Sequence, residues 1–334
     1  MGGPDLSAIL RGVTAEASRT AMSAAAATTV ADWLARRTYA AADFPLERLL
    51  AAKGATTVSV VLPAREVADT IGPILAALTP LRDGGLLNEL VVIDAASADG
   101  TAEAARAAGA TIVQEADVLP EHGPARGKGD ALWRAVHATH GDVVAFVDAD
   151  SAAFDARSAV CGLLGPLLTD AEIAFVKGAY RRPLTVGIET VPEGGGRVTE
   201  LLARPLLNRH VPELAGIVQP LAGEVAARRT LLEALPFPVG YGVEIANLID
   251  ALRHAGLDAL AQVDLGERRN AHQSLHALSA MAYAVLVAAE RRIHHDAAMV
   301  APPPLARPRV DGSLVLTDVA VEERPPLRTL GTQP

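Results

Sequence analysis

Three short apolar runs, rich in β-branched residues and separated by helical patterns, constrain the fold of this chain more than any other feature. They are Thr57-Val-Ser-Val-Val-Leu62, Glu89-Leu-Val-Val-Ile-Asp94 and Asp142-Val-Val-Ala-Phe-Val-Asp148. Their nearly continuous hydrophobicity is typical of strands that are covered on both faces. The alternation of such strands with helices predicts an α/β fold, in which a mostly parallel sheet is flanked by helices and joined by right-handed crossovers.

The same patterns predict the other elements. We expect the first strand to stop at Pro63 and a helix to follow Asp69-Thr70. The remaining predicted elements are helices at Ala21–Thr38, Asp99–Ala108, Lys128–Thr139, Arg157–Leu168, Thr199–Arg209, Arg228–Ala234, Val243–Ala255 and Leu275–Ile293, and strands at Ile173–Tyr180 and Ala259–Leu265.

Composition narrows the range of partners. The 334 residues carry a net charge of -9 and give a pI of about 5.5, which disfavours nucleic-acid binding. The single cysteine, Cys161, lies in an apolar run, and we interpret it as a buried side chain in a protein of the reducing cytoplasm. No run of about 18 apolar residues lacks charges, which predicts that the chain has no integral membrane segment.

Polar residues follow each of the three runs: Pro63-Ala-Arg-Glu66, Asp94-Ala-Ala-Ser97 and Asp148-Ala-Asp150. In an open parallel sheet, ligands bind outside the carboxyl ends of the strands. Two carboxylates at alternate positions of an extended strand end can face the same side. One can then bind a divalent metal that bridges a diphosphate, and the other can accept a hydrogen bond from a ribose hydroxyl. Such hard oxygen ligands suit Mg²⁺ or Mn²⁺. The alternative is that Asp148 only caps a turn.

Two glycine-containing loops are candidate anion sites. Gly123-Pro-Ala-Arg-Gly-Lys128 has one spacer too few for a P-loop and lacks the Ser or Thr that follows the lysine. Even so, a lysine beside glycines at a helix start can meet a phosphate; the alternative is a solvated lysine. In Gly194-Gly-Gly-Arg-Val-Thr199, backbone N–H groups and Arg197 could hold a phosphate or carboxylate, or the segment is a flexible surface loop. Arg181-Arg182 could be another anion site, but we interpret it as an ordinary solvated pair.

Together these motifs resemble the glucosyl-3-phosphoglycerate synthases of actinobacteria, which are retaining glycosyltransferases of the GT-A type with a Rossmann-like sheet. The resemblance extends from about Thr57 to Leu275, with an echo at Arg324-Pro-Pro. Its specific stretches are Val60–Ala64, Gly127–Arg134, Phe146–Asp150, Tyr180–Leu184, Gly194–Glu200, Leu221–Glu224 and Tyr241–Ile245.

The resemblance implies roles for individual residues. Contacts to the nucleotide-sugar donor are implied for Pro63, Ala64, Arg65, Glu66, Ala95, Lys128, Asp148, Ala149 and Glu244. Contacts to the acceptor are implied for Gly196, Arg197, Thr199 and Tyr241. The implied catalytic residues are Glu244 at the glucose hydroxyls, Arg268 at the phosphates and Asp150 at the metal.

The chain departs from the family pattern in two places. The family tends to have Pro-Ala-x-Asn-Glu after the first strand, whereas here Glu66 stands one place earlier, which weakens the case that its carboxylate recognises the base. The position of the family's metal-binding histidine holds Asn270, and a histidine occurs only at His272. We favour His272 as the second metal ligand beside Asp150; Asn270 and water are the alternatives.

The activity implied is metal-dependent transfer of glucose from UDP-glucose to the 2-hydroxyl of 3-phosphoglycerate, with retention at the anomeric carbon, in a cytoplasmic homodimer. We divide the chain into a helical arm at 1–55, a nucleotide-sugar-binding part at 56–180, an acceptor-binding part at 181–300 and an extended Pro-rich tail at 301–334. Another acceptor, such as a polyprenyl phosphate, a glycerol or a glycan, is one alternative. A catalytically inactive nucleotide-sugar-binding protein is the other.

Overall fold

The computed structural model describes residues 29–150, 155–186, 189–191, 195–268, 273–294 and 302–331. The strands are β1 (Thr38–Ala40), β2 (Val58–Ala64), β3 (Glu89–Asp94), β4 (Thr111–Gln114), β5 (Val143–Phe146), β6 (Phe175–Arg181), β7 (Leu184–Val186), β8 (Glu189–Val191), β9 (Val225–Arg228), β10 (Phe237–Pro238), β11 (Leu260–Glu267), β12 (Leu305–Pro308), β13 (Leu314–Thr317) and β14 (Glu323–Arg324). The α-helices are α1 (29–37), α2 (Leu46–Lys53), α3 (Ala68–Asp83), α4 (Thr101–Ala107), α5 (Lys128–Ala138), α6 (Ala156–Thr169), α7 (Arg204–His210), α8 (Arg229–Leu232), α9 (Val243–Ala255) and α10 (Leu275–Ile293).

Eight strands form one mixed sheet in the order β1-β11-β6-β9-β5-β2-β3-β4. All neighbours are parallel except at β9, which runs antiparallel to both β5 and β6. The predicted mostly parallel α/β sheet is therefore confirmed. The three strands predicted first, β2, β3 and β5, are adjacent, so their carboxyl ends share one edge.

Helices cover both faces of the sheet, which explains why the central strands show no polar alternation. On β2, Val60 and Leu62 belong to one apolar core, which also contains residues of α3 and α6. Val61 points to the other face and belongs to a second core, which includes Trp133 of α5 and residues of α9. Both cores exclude water almost completely, and burial of this kind contributes about 25 cal/mol per Å² of apolar surface.

Several element boundaries differ from the sequence prediction. Pro63 does not end the first strand, because β2 continues to pair with β3 at Pro63 and Ala64 after its pairing with β5 has ended at Val61. The missing N–H of Pro63 therefore costs the sheet little. The segment predicted as a helix at Arg228–Ala234 is partly the end of β9, and α8 spans only four residues.

Other elements have no counterpart in the sequence prediction. Strands β1, β4 and β9 and helix α2 are short, and each is held by long-range contacts. β1, for example, lies at the edge of the sheet and pairs only with β11. The tail is not simply extended, since β12 and β13 form an antiparallel hairpin and β14 pairs with β10. The helix predicted at Ala21–Thr38 lies partly outside the described residues.

The end of the predicted N-terminal arm packs into the sheet. Trp33 of α1 is fully buried, and its indole N–H donates to the carbonyls of Leu257 and Leu260. Cys161 is buried on α6, and burial raises the pKa of its thiol to about 11. Among the helices described, none has the length and apolar character that crossing a membrane would require.

Candidate active site

An ion triad forms at the edge where β2, β3 and β5 end; Glu244 is buried, and Lys128 and Asp148 are about one-fifth exposed. The ammonium of Lys128, at the start of α5, lies 2.7 Å from Asp148 Oδ1 and 2.9 Å from Glu244 Oε1. Burial alone would lower the pKa of Lys128, but the two carboxylates raise it well above its usual range. Burial would likewise raise the pKa of Asp148, but Lys128 and Arg268 lower it. Lys128 and Asp148 are therefore both charged at neutral pH.

A second cation, Arg268, lies on the other side of Asp148. It follows the last residue of β11 and is buried, and its guanidinium is 2.8 Å from Asp150 Oδ1 and 3.8 Å from Asp148 Oδ2. The guanidinium also contacts the buried carboxylate of Glu224 and lies 5.7 Å from the centre of the Tyr180 ring. Both acidic residues of the Asp-Ala-Asp motif thus lie beside the fixed positive charge of Arg268.

Gly223 makes this close packing possible. A Cβ at this position would overlap both carboxylate oxygens of Asp148 and would lie 2.5 Å from Lys128 Nζ. Gly223 immediately precedes Glu224 and the antiparallel strand β9. The loop that supplies the partner of Arg268 therefore also leaves room for the triad.

Lys177 of β6 lies beneath the triad and is fully buried. Its ammonium donates to the carbonyl of Ala222 at 2.7 Å. Burial lowers the pKa of Lys177 to about 7, and the charge of Lys128 adds to this effect, whereas Glu244 and Asp148 oppose it. Lys177 is consequently an amine that changes charge near neutral pH directly under the site.

The glycine-rich loop leads into a helical turn beside the charged cluster. Gly196 adopts φ +70°, and Thr199 is buried at the start of a π-helical turn, Thr199–Ala203. Arg197 donates to the carbonyl of Gln273 at 2.9 Å. The N–H of Gly195 donates to the carbonyl of Arg182, which places this turn next to the end of β6.

The other predicted donor-site residues surround the same edge. Pro63 and Ala64 end β2, and the N–H of Ala95 donates to the carbonyl of Ala64. Glu66 has a left-handed backbone with φ 52°, and its carboxylate accepts from the N–H of Ala98. This carboxylate therefore braces the loop after β3, while Arg65 beside it is exposed.

Two further predicted residues lie close by. The carbonyl of Ala149 accepts from the hydroxyl of Thr70, which anchors the motif between its two acidic residues. Tyr241 is half-exposed and stands three residues before Glu244, next to the first turn of α9. The predicted roles of these residues remain predictions.

Four residues that were given no role in the sequence analysis contribute to the cluster: Lys177, Arg182, Gly223 and Glu224. Arg182 was interpreted as a solvated residue. Its guanidinium instead lies 5.6 Å from the centre of the Tyr180 ring, and its charge also lowers the pKa of Asp148. The resemblance stretches contain Arg182, Gly223 and Glu224 but not Lys177, and strand patterns do not reveal which loops meet.

The carboxylate of Asp150 is the most accessible acidic group of the cluster, with 58% of its side chain exposed. Its hard oxygen atoms fit Mg²⁺ or Mn²⁺. Within the described ranges, no group of three or more His, Cys, Asp or Glu side chains is placed to hold a metal. The two candidates for the second ligand, Asn270 and His272, lie outside the described residues.

The family model of glycosyl transferase family 2 matches residues 59–185, which contain β2 to β6 and the Asp-Ala-Asp motif. Together with the sheet and the charged cluster, this match defines the protein as a GT-A glycosyltransferase that uses a nucleotide-sugar. The chain is 43% identical over 298 residues to the glucosyl-3-phosphoglycerate synthase of Mycolicibacterium smegmatis, which covers 89% of this chain and 98% of that relative. The chain belongs to the glucosyl-3-phosphoglycerate synthase family.

Solved structures are similar over nearly the whole fold. One is glucosyl-3-phosphoglycerate synthase from Mycobacterium tuberculosis in complex with Mn²⁺, UDP and glucosyl-3-phosphoglycerate, with a TM-score of 0.76 and 42% identity over 86% of this chain and 96% of that one. Another is mannosyl-3-phosphoglycerate synthase from Rubrobacter xylanophilus, with a TM-score of 0.80 and 42% identity over 90% of this chain and 99% of that one. Relatives that are named for glucosyl transfer and for mannosyl transfer thus share this fold.

We expect Gly223→Ala to destabilise the protein by about 1–3 kcal/mol, because the added methyl group overpacks a site between fixed charges. Urea unfolding measures this change. Gly72→Ala in α3 is the matched control: a Cβ there meets nothing within 4 Å, so it should leave stability unchanged or raise it by up to about 1 kcal/mol. A Gly223→Ala protein as stable as the wild type would contradict the close approach of Gly223 to Asp148.

We expect the stability of the wild type to rise with pH relative to Lys177→Met between pH 7 and pH 9. The pKa of Lys177 is about 7 in the folded chain and 10.5 for an ordinary lysine. Across this window the unfolded chain binds a proton that the folded chain does not, so stability rises by up to about 1.4 kcal/mol per pH unit. Urea unfolding of both proteins at pH 7, 8 and 9 tests this. Parallel stability curves would show that Lys177 keeps its charge when folded.

Proposed function

We propose that this protein transfers glucose from UDP-glucose to the 2-hydroxyl of 3-phosphoglycerate, with retention of configuration and with Mg²⁺ or Mn²⁺ as cofactor. The observation that carries the proposal is the charged cluster of Lys128, Asp148, Glu244, Arg268 and Asp150, located beside the glycine-rich turn. It occurs in a chain that covers 98% of a synthase of this name.

The donor is proposed to lie across the carboxyl ends of β2, β3 and β5. Its uridine would contact the backbone at Pro63 and Ala64, with Ala95 nearby. Asp148 would contact the nucleotide, and Asp150 would hold the metal, with His272 as the proposed second ligand and Asn270 or water as the alternatives. When bound, the metal supplies positive charge that stabilises the departing diphosphate. Its carboxylate ligand, Asp150, has the exposure that binding requires.

The chain's own cations stabilise the same charge. Lys128 and Arg268 are held in place by carboxylates before the reaction starts, so they need little reorganisation as charge builds on the leaving group. Glu244 is 8% exposed at the start of α9, where it would orient the sugar hydroxyls. The buried side chain of Lys177 would fill the space beneath Glu244 and exclude bulk water from it.

The acceptor is proposed to bind at the turn that contains Gly196, Arg197 and Thr199, with Tyr241 opposite. Its carboxylate or phosphate would meet Arg197 and the backbone N–H groups of the turn. The bond between the anomeric carbon and the diphosphate oxygen breaks, and its electron pair leaves with UDP. The acceptor oxygen attacks the same face. We expect its proton to pass to the departing diphosphate, because Asp148 and Glu244 are both paired with Lys128.

A mannose donor is the second candidate. The mannosyl-3-phosphoglycerate synthase from Rubrobacter xylanophilus is as similar to this chain as the glucosyl synthases are. Glucose and mannose differ only in the configuration at C2. Discrimination therefore depends on a few hydrogen bonds in the pocket.

We expect rapid transfer from UDP-glucose to 3-phosphoglycerate in the presence of Mn²⁺, slower transfer from mannose donors, and none in excess EDTA. NMR of the product's anomeric proton reports both the sugar and the retained configuration. Transfer to glycerol 3-phosphate but not to 3-phosphoglycerate would reject the proposed acceptor. Calorimetric binding of UDP-glucose without turnover would identify an inactive binding protein.

Asp150→Asn tests the metal assignment in the same assay. We expect kcat to fall on the order of 10²-fold, as for the loss of one preorganised electrostatic group, and the Mn²⁺ concentration at half-maximal rate to rise. Asp83→Asn is the control, since Asp83 ends α3 and its side chain is 62% exposed. Unchanged metal dependence in the Asp150 variant would place the metal elsewhere.

We also propose that the enzyme works as a homodimer in the cytoplasm. Nucleotide-sugars and phosphoglycerate are soluble anions, and exposed apolar side chains occur on the described hairpin β12–β13 and at the start of α10, at Leu275, Val310, Leu314 and Leu316. Such residues are candidates for an interface. Sedimentation equilibrium at micromolar concentration should give twice the chain mass of 34.6 kDa. A mass of one chain would reject the dimer.

A further inference from the structure

The C-terminal tail returns to the nucleotide side of the molecule. Strand β14 pairs antiparallel with β10, and the N–H of Val239 donates to the carbonyl of Glu322 at 2.9 Å. The indole N–H of Trp133 on α5 donates to the carbonyl of Pro325 at 2.8 Å. A segment more than 180 residues away in sequence is thus fastened to the helix that begins at Lys128.

Arg324 makes the central contact of this attachment. Its Nε lies 3.0 Å from Asp130 Oδ1, and another guanidinium nitrogen lies 2.6 Å from Asp130 Oδ2. Asp130 is fully buried, and Arg324 has 13% of its side chain exposed. The two-point geometry of a guanidinium on a carboxylate fixes orientation as well as distance.

Asp130 joins the tail to the first turn of α5. Its Oδ2 accepts from the N–H of Arg126 at 2.9 Å, and its own N–H donates to the carbonyl of Val239 at 3.1 Å. Asp130 stands two residues after Lys128. An interaction that orients Asp130 therefore sets where α5 begins and where the lysine of the triad emerges.

Arg324 and Arg134 also hold the loop in front of this helix. Arg324 donates to the carbonyl of His122, and to that of Pro124 at 3.0 Å. Arg134, fully buried, lies 3.0 Å from Asp130 Oδ1 and 2.7 Å from the carbonyl of Gly123. Both guanidinium groups thus bind Asp130 and the loop carbonyls together, which attaches the loop to the first turn of α5.

We propose that Arg324 is a positioning residue for the donor site: it holds Asp130 and the 122–126 loop so that Lys128 meets the donor diphosphate. This inference rests on the proposed function. The tail lies outside the 59–185 match to the glycosyl transferase family 2 model, so this chain completes its nucleotide site with a segment from beyond that region. Arg324 itself is not expected to touch the substrate.

Charge and packing favour this role over simple attachment of the tail. Without Arg324, Arg134 is the one cationic partner that the described residues leave to the buried carboxylate of Asp130. A buried charge that loses a partner forces its surroundings to rearrange. The rearrangement would displace the first turn of α5, which contains Lys128. A misplacement of about 1 Å in such a group can cost up to about 10²-fold in rate.

We expect Arg324→Gln to weaken the binding of UDP in the presence of Mn²⁺ about tenfold or more, measured by calorimetry. The KM for UDP-glucose should rise by a similar factor, while the KM for 3-phosphoglycerate stays within about twofold. Arg324→Lys, which keeps the charge but loses the two-point geometry, should fall between Arg324→Gln and the wild type. An equal rise of both KM values, or no change in UDP binding, would overturn the proposal.

The control is Arg309→Gln, an exposed arginine of the same tail between β12 and β13, which should bind UDP as the wild type does. Circular dichroism and thermal melting establish that each variant is folded; if Arg324→Gln does not fold, Arg324→Lys carries the test alone. Failure of the wild type to bind UDP would reject the proposed function. Wild-type binding that both Arg324 variants retain would reject only the positioning role.

Discussion

The structure depends on the placement of one ammonium group, that of Lys128, between the carboxylates of Asp148 and Glu244. Isolated charges in a protein interior are costly, so the carboxylates of Asp148 and Glu244 both depend on the ammonium group of Lys128. The three residues come from the start of α5, the end of β5 and the start of α9. Their pairing therefore locks two helices to the carboxyl edge of the sheet. The same pairing fixes the ammonium group of Lys128 at the edge where the donor is proposed to bind.

The antiparallel strand β9 makes this arrangement possible. It lies between β5 and β6, and it brings Gly223 and Glu224 to the edge where the parallel strands end. Gly223 leaves the space that the triad occupies, and Glu224 contacts Arg268. A wholly parallel sheet would carry this loop to the opposite edge. The antiparallel direction of β9 thus matters for the site as well as for the fold.

Ion pairs connect the C-terminal tail to the helices around the site. Arg324 pairs with Asp130, and Glu323 pairs with Arg292, which is 2.7 Å from Asp250 of α9. These pairs are largely buried, so their value lies in fixing the geometry of α5, α9 and α10 more than in net stability. These ion pairs consequently attach the C-terminal segment to the helices on the donor side of the site.

The sequence alone determined the α/β class, the strands β2, β3 and β5, and the helices α9 and α10, because long apolar patterns depend on local spacing. It also located Asp148, Asp150 and Lys128, since a strand end and a helix start are local features. Only the tertiary structure decided that Lys177, Gly223 and Glu224 join them, that Arg182 is not an ordinary solvated residue, and that Arg324 clasps Asp130. Those residues meet through contacts between distant segments, and the free energy of such contacts comes from burial and charge pairing that no local pattern encodes.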